Sequence, residues 1–300
     1  MPLKTVAVIA PGDMGHAVGM RLRTEGNLKV LTSLTGRSER SHNLAKQAGL
    51  INIDNDEALV QEADMLISIV PPGRAKLLAD RMAKAIKTAG KNLLYVDMNA
   101  IAPQTARDIE KLVTAAGGRF MDGGIMGGAP VEGMPAPRMF ISGKDMDEVM
   151  ALNDHGLNVA PAGNEAGQAS GLKMCFASVA KGMVALGLEA MTAARILGVD
   201  ELLRQQFEKG PFFKAIERRM PDAGPNAYRW AEEMDEIAAT MASTNVEPGT
   251  FKGIGDFFRF VEQSPLGKEP PENIVLGATS ENVVKVLAEE ATAASKKTAK

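Results

Sequence analysis

Residues 7–22 read AVIAPGDMGHAVGMRL. An apolar run ends in a Pro-Gly turn and passes at once into a pattern with helical spacing. A β-type segment feeding a glycine-bearing turn and then a helix opens a β-α-β unit. When such a turn binds a dinucleotide, one glycine makes the tight bend and a second lets the backbone approach pyrophosphate. A third lets the helix pack closely on the strand. Ala10, Gly12 and Gly15 stand at those three places, with Pro11, Asp13 and Met14 between them. Because alanine replaces the first glycine, the loop alone leaves two readings open: a dinucleotide cradle or an ordinary strand–turn–helix corner.

Beyond the loop, the same alternation continues to about residue 143. The β-type runs are LKTVAVIA, KVLTSLT, ADMLISIV, NLLYVDM, RFMDGGIM and MFISG, with helical patterns such as DEALVQEA and APQTARDIEKLVTAAGG between them. This predicts an α/β fold, a Rossmann-type doubly wound and mostly parallel sheet. The continuous apolar strands predict cover on both faces. After Pro161 no further strand is expected. A helix of over thirty residues, from near Glu165 to Leu197, opens an all-α region that Pro and Gly break into shorter helices. The boundary is set near 162, which divides the chain into an α/β Rossmann-type domain, residues 1–162, and a helical domain around the long helix, residues 163–300.

Composition narrows the partners. With 34 basic against 37 acidic residues, the net charge is −3, which argues against a phosphate-backbone partner such as nucleic acid. No run approaching about 20 apolar residues is evident, so no membrane partner is expected. The single cysteine, Cys175, forbids an intramolecular disulfide and points to the reducing cytoplasm. His16, His42 and His155 are scattered without ligand spacing, so no metal is expected.

The second strand bears on the cofactor. NAD-binding loops place an acid about 20 residues on, where it holds the ribose 2′-hydroxyl. Here that strand ends LTSLTGRSER, without an acid at its tip. Arg37 and Arg40 would attract a 2′-phosphate and Ser38 would donate to it, which favours NADP(H) over NAD(H). The other reading makes these residues a helix start, with Ser38 its N-cap.

Five motifs in order make the sequence resemble the β-hydroxyacid dehydrogenase superfamily, which includes 3-hydroxyisobutyrate, tartronate semialdehyde and 6-phosphogluconate dehydrogenases. APGDMG resembles its glycine loop, and ADMLISIVPP the segment whose end, here Val70 and Pro71, lies beside the nicotinamide ribose. YVDMNAIAP, FMDGGIMGGAP and GQASGLKMCFA resemble its D-x-S-T-x-x-P segment, its substrate loop and the helix whose lysine is the general acid/base. YRWAEEMDEIA, at 228–238, resembles a subgroup with a C-terminal domain of unknown function. DGGIMG is also similar to imine reductases. The resemblance implies a dehydrogenase with Lys173 catalytic and a homodimer paired through the helical domain. It departs at Met126, where the family has a carboxylate-holding serine, and at Phe176 and Ala177, where it has asparagines. Those departures imply a larger or less acidic small-molecule substrate than a three- or four-carbon hydroxy acid.

Residue spacing adds detail. Ala166, Ala169, Ala177 and Ala180 share the face of Lys173, with Ser170 three residues before it. The lysine therefore rises from a cleared stripe, either as a proton donor or as a cation snorkelling from a helix seam. Asn99, at a strand end, is read as a partner of the nicotinamide amide or substrate, or as a local cap before Pro103. Gly127 and Gly128 are read as backbone donors to substrate or as plain turn residues, and Tyr228 as a border of the pocket. The expected reaction is carbonyl–alcohol interconversion; imine reduction and a non-catalytic NADPH sensor are the alternatives.

Overall fold

The computed structural model describes residues 3–131, 133–210 and 212–298. Eight strands form one sheet: β1 (Thr5–Ile9), β2 (Lys29–Thr32), β3 (Ile51–Asn52), β4 (Met65–Ser68), β5 (Leu94–Asp97), β6 (Arg119–Met126), β7 (Arg138–Gly143) and β8 (Asn158–Gly163). Their order is β3-β2-β1-β4-β5-β6-β7-β8, parallel throughout except for the antiparallel β6–β7 pair. The connecting helices are α1 (Asp13–Thr24), α2 (Glu39–Ala48), α3 (Asp56–Glu62), α4 (Ala75–Ala89), α5 (Pro103–Ala115) and α6 (Met146–Met150). The expected doubly wound sheet is present.

The apolar strands are buried on both faces because successive side chains alternate. Val6 and Val8 of β1 pack with Met65, Ile67, Val18 and Leu22 on the α1 side. Ala7 and Ile9 pack with Leu66, Tyr95, Leu78 and Met82 on the opposite side, under α4 and its neighbours.

Two strands depart from the sequence reading. β3 is two residues long and too short for a periodic signal. β8 carries Pro161, which argues against a central strand but is tolerated at an edge. β8 is the edge strand next to β7.

The long helix, α7, spans Gln168–Leu197 and is 30 residues long. Its density of Ala, Leu and Met makes it long and apolar enough to cross a membrane by length and composition, a feature the sequence reading missed; half of its most apolar window is buried within the protein. Core helices of water-soluble proteins pass the same test. Gly198, with φ +72°, ends it in the left-handed conformation usual after a helix.

The chain divides into two compact units, Met1–Met174 and Cys175–Lys300. The division falls inside α7 instead of at 162, because the first turns of α7 belong to the sheet unit through contacts described below. The second unit continues with α8 (Asp200–Phe207), α9 (Phe212–Glu217), α10 (Ala223–Ser243), α11 (Gly249–Gln263) and α12 (Ser280–Thr298). Within it α10 lies on α11, with Trp230 edge-on to Phe258 at 5.3 Å between ring centroids.

Candidate active site

The loop after β1 has the properties that a dinucleotide cradle needs. A Cβ on Gly15 would lie 1.9 Å from the Ala10 carbonyl oxygen, so only glycine allows α1 to start this close to the strand. A Cβ on Gly12 would meet nothing within 4 Å. Gly12 caps α1 without a side-chain hydrogen bond, which leaves the first N–H groups of the helix to an anion. The cradle is thus open where a pyrophosphate would lie and closed where the helix must pack. Ala10 is buried, and its N–H donates to the Ile69 carbonyl (3.0 Å).

At the tip of β2 the three expected phosphate residues part company. Ser38 is the N-cap of α2, its hydroxyl accepting the Ser41 N–H at 3.3 Å. Arg40 is ion-paired to Asp13. Arg37 instead lines a cavity with Thr35, Val70, Arg74, Leu78 and Arg81. Burial first, and then the Arg81 and Arg74 guanidiniums, hold Arg37 below the ordinary arginine value. Arg74 and Arg81 were not singled out from sequence. Their seven-residue spacing, two turns along one helical face, was the available signal.

Between the ends of β4 and β5, Asn99 is buried and its polar groups are engaged. Its Oδ1 accepts the Val70 N–H (2.6 Å), and its Nδ2 donates to Ser68 Oγ (2.8 Å) and Asp97 Oδ2 (2.9 Å). Asn99 thereby braces Val70, next to Pro71, against the ends of β4 and β5.

The start of α7 is fastened to β6. Asp122 Oδ2 accepts the N–H groups of Gly167 and Ser170, both at 2.9 Å, and the Ser142 hydroxyl at 3.0 Å; its Oδ1 accepts the Ser170 hydroxyl. A carboxylate at a helix N-terminus meets both the orphan donors and the helix dipole. Burial raises the Asp122 pKa above its ordinary value, against the opposing pull of these hydrogen bonds. Ser170, three residues before Lys173 and placed near its face by spacing, is fully buried and hydrogen-bonded into this cap. The reason lies in the helix geometry: residues three apart share a face only approximately, and the face of Ser170 turns towards Asp122.

Gly124 completes the arrangement. A Cβ there would lie 2.7 Å from Lys173 Cβ and 3.2 Å from the Ala169 carbonyl oxygen, so the glycine lets α7 rest directly on the strand. Lys173 is half-buried, and its Nζ donates to the Ile125 carbonyl at 2.8 Å. The ammonium is held at the end of β6, where Met126 is half-buried and Gly127 and Gly128 are exposed. In the other unit, Ala177 is buried and Tyr228 half-exposed. Among the described residues no group of three or more His, Cys, Asp or Glu side chains is placed to hold a metal ion.

Comparison with known proteins accords with this geometry. Residues 5–147 match the family described as the NAD binding domain of 6-phosphogluconate dehydrogenase, and residues 194–261 match a domain of unknown function, DUF1932. The conserved protein MTH1747, of unknown function and structurally similar to 3-hydroxyacid dehydrogenases, is 32% identical. The match covers 86% of this chain and 96% of that one, with a TM-score of 0.64. The chain belongs to the β-hydroxyacid dehydrogenase superfamily. Members of this superfamily are NAD(P)-dependent oxidoreductases. An uncharacterized 28.5 kDa protein of Methanothermus fervidus is 29% identical over 239 residues, covering 79% of this chain and 91% of its own length. At 16% identity the fold alone is shared with the 3-hydroxyisobutyrate dehydrogenase of Salmonella typhimurium (TM-score 0.70, covering 94% and 99%). The same holds for an imine reductase variant from Myxococcus stipitatus in complex with NAD+ (TM-score 0.57, covering 96% and 99%).

Proposed function

We propose that this superfamily member is an NADP(H)-dependent oxidoreductase that interconverts a carbonyl and an alcohol, with Lys173 as general acid/base. The observation that carries this reading is the seat of Lys173: an ammonium fixed by the Ile125 carbonyl at the C-terminal end of a strand, over a glycine that admits its helix. Ligands of open α/β sheets gather at that edge. The nicotinamide supplies or accepts the hydride. In reduction, Lys173 Nζ passes a proton to the carbonyl oxygen as negative charge develops there; in oxidation the amine takes the hydroxyl proton back. Met126, Gly127 and Gly128 supply an apolar wall and backbone N–H groups in place of a carboxylate-binding side chain. This favours a substrate larger or less acidic than a small hydroxy acid.

Lys173→Ala is expected to lower kcat by about 10²–10⁴-fold, the usual worth of a positioned acid/base, while leaving NADPH affinity unchanged. Turnover within a few-fold of the parent protein overturns the role. The apolar loop also favours imine reduction as a second reading. Turnover of ketones only when an amine is added selects it over carbonyl reduction.

The NADP(H) preference rests on the guanidinium of Arg37 and on the absence of an acid at the tip of β2. A homodimer through α7 is supported by Phe176, Val179, Leu186 and Leu197, which lie exposed along that helix. A monomer in sedimentation at micromolar concentration removes that part of the reading. The lone cysteine fits a cytoplasmic setting.

A further inference from the structure

Arg74 and Arg81 stand beside Arg37, and only Arg81 among the three is ion-paired among the described residues. The three guanidiniums line one cavity of about 360 Å³ between the β2 turn and α4. Gathering three like charges is unfavourable unless an anion is present. Arg81 is ion-paired to Asp56, whose Oδ2 lies 3.0 Å from Nε, and lines a second cavity with Asp54 and Glu57. Even so, the buried Nε and Nη2 of Arg81 have no hydrogen-bond partner among the described residues. Burial raises the Asp56 pKa while Arg81 lowers it, so the pair is only partly compensated. Buried guanidinium donors that make no hydrogen bond suit an oxyanion with several acceptor oxygens. Arg40, by contrast, is already committed to Asp13.

We infer that Arg74 and Arg81, from the turn and helix after β4, complete with Arg37 a three-guanidinium cradle for a ribose 2′-phosphate monoester, which makes them determinants of NADP(H) over NAD(H). This places the phosphate against α4 instead of over the start of α2. The inference rests on the NADP(H) reading given above, extending it to two residues outside the β2 turn.

The test is fluorescence titration of the full-length protein with NADPH and with NADH, for the parent and for Arg74→Gln, Arg81→Gln and Arg40→Gln. Arg74→Gln and Arg81→Gln are each expected to weaken NADPH by about tenfold or more, the loss typical of one charge-assisted hydrogen-bonding partner. NADH binding stays within about twofold, and Arg40→Gln changes the ratio little. Arg74 is exposed and forms no ion pair among the described residues, so its variant keeps the test valid if Arg81→Gln fails to fold. A parent that prefers NADPH, with an unchanged NADPH-to-NADH ratio in Arg74→Gln, overturns the inference while the NADP(H) reading stands. A parent that binds both nucleotides equally overturns both.

Discussion

Helix α7 carries two partly buried lysines eight residues apart, one in each unit, and they are held in different ways. Lys173 is seated by a backbone carbonyl, that of Ile125 at 2.8 Å. Lys181 is paired to the Glu233 carboxylate at 2.7 Å, with its side chain 12% exposed and that of Glu233 5% exposed. Its ammonium also lies 5.8 Å from the Trp230 ring centroid. A carboxylate partner fixes the charge of a lysine and makes it part of the packing. A carbonyl partner orients the ammonium towards the strand end, which suits a group that must exchange a proton. The difference teaches that a lysine's partner, more than its burial, separates a structural cation from a candidate acid/base.

The sharpest way to break this contrast is to exchange the losses. Where Lys173→Ala removes turnover and spares stability, Lys181→Met is expected to cost about 3–5 kcal/mol, because Glu233 then stays buried without its lysine. Pairing it with Glu233→Leu should restore most of that loss in denaturant titration. Stability unaffected by Lys181→Met would make the two lysines equivalent and dissolve the distinction.

The seat of Lys173 is tested next. Gly124→Ala introduces a methyl 2.7 Å from the Cβ of Lys173, an atom that cannot swing aside. An overpacking cost of about 1–3 kcal/mol is expected, together with reduced kcat as the helix lifts from the strand. Unchanged melting and turnover would show that the close approach is not required.

The smallest effect concerns the carboxylates that receive backbone N–H groups in each unit. Glu269 accepts from Val275 and Leu276 at 2.7 Å and from Gly277 at 2.8 Å. Burial raises its pKa, but those three donors outweigh it and leave the value below the ordinary 4.5. Its contribution is therefore present above that value and lost as pH falls through the folded one. Asp122, pushed up from 3.8 mainly by burial, has the opposite sign: its contribution is fully present below 3.8 and declines as pH rises through its folded value. Hydrogen exchange at residues 275–277 should therefore accelerate on acidification below about pH 4. Constant protection there to pH 3 would contradict the clasp.

Much of this molecule is legible in its sequence for definite reasons. Continuous apolar runs broken by helical patterns specify a parallel sheet because each strand must bury both faces. The glycines of the first turn could be ranked by what approaches them, and Gly15 is as crowded as its place in the loop implies. The candidate site is less legible. Asn99, Ser170 and Arg40 carry the right polar groups, yet each is committed inside the protein, to Val70, to Asp122 and to Asp13. Conversely, Arg74 and Arg81 look like ordinary charges of an amphipathic helix until Arg37 is seen beside them.

By itself, then, the sequence determined the elements, their alternation and the types of chemistry available. It specified a strand–turn–helix nucleotide loop, a long small-residue helix and a lysine upon it, because these depend on local periodicity and on residues close in the chain. The tertiary structure alone decided which polar groups are engaged and which converge. Hydrogen bonds between residues 29 to 48 positions apart, such as Val70 to Asn99 and Lys173 to Ile125, leave no local pattern. The division inside α7 has the same origin: Gly124 and Asp122 bind its first turns to the sheet across some fifty residues of chain.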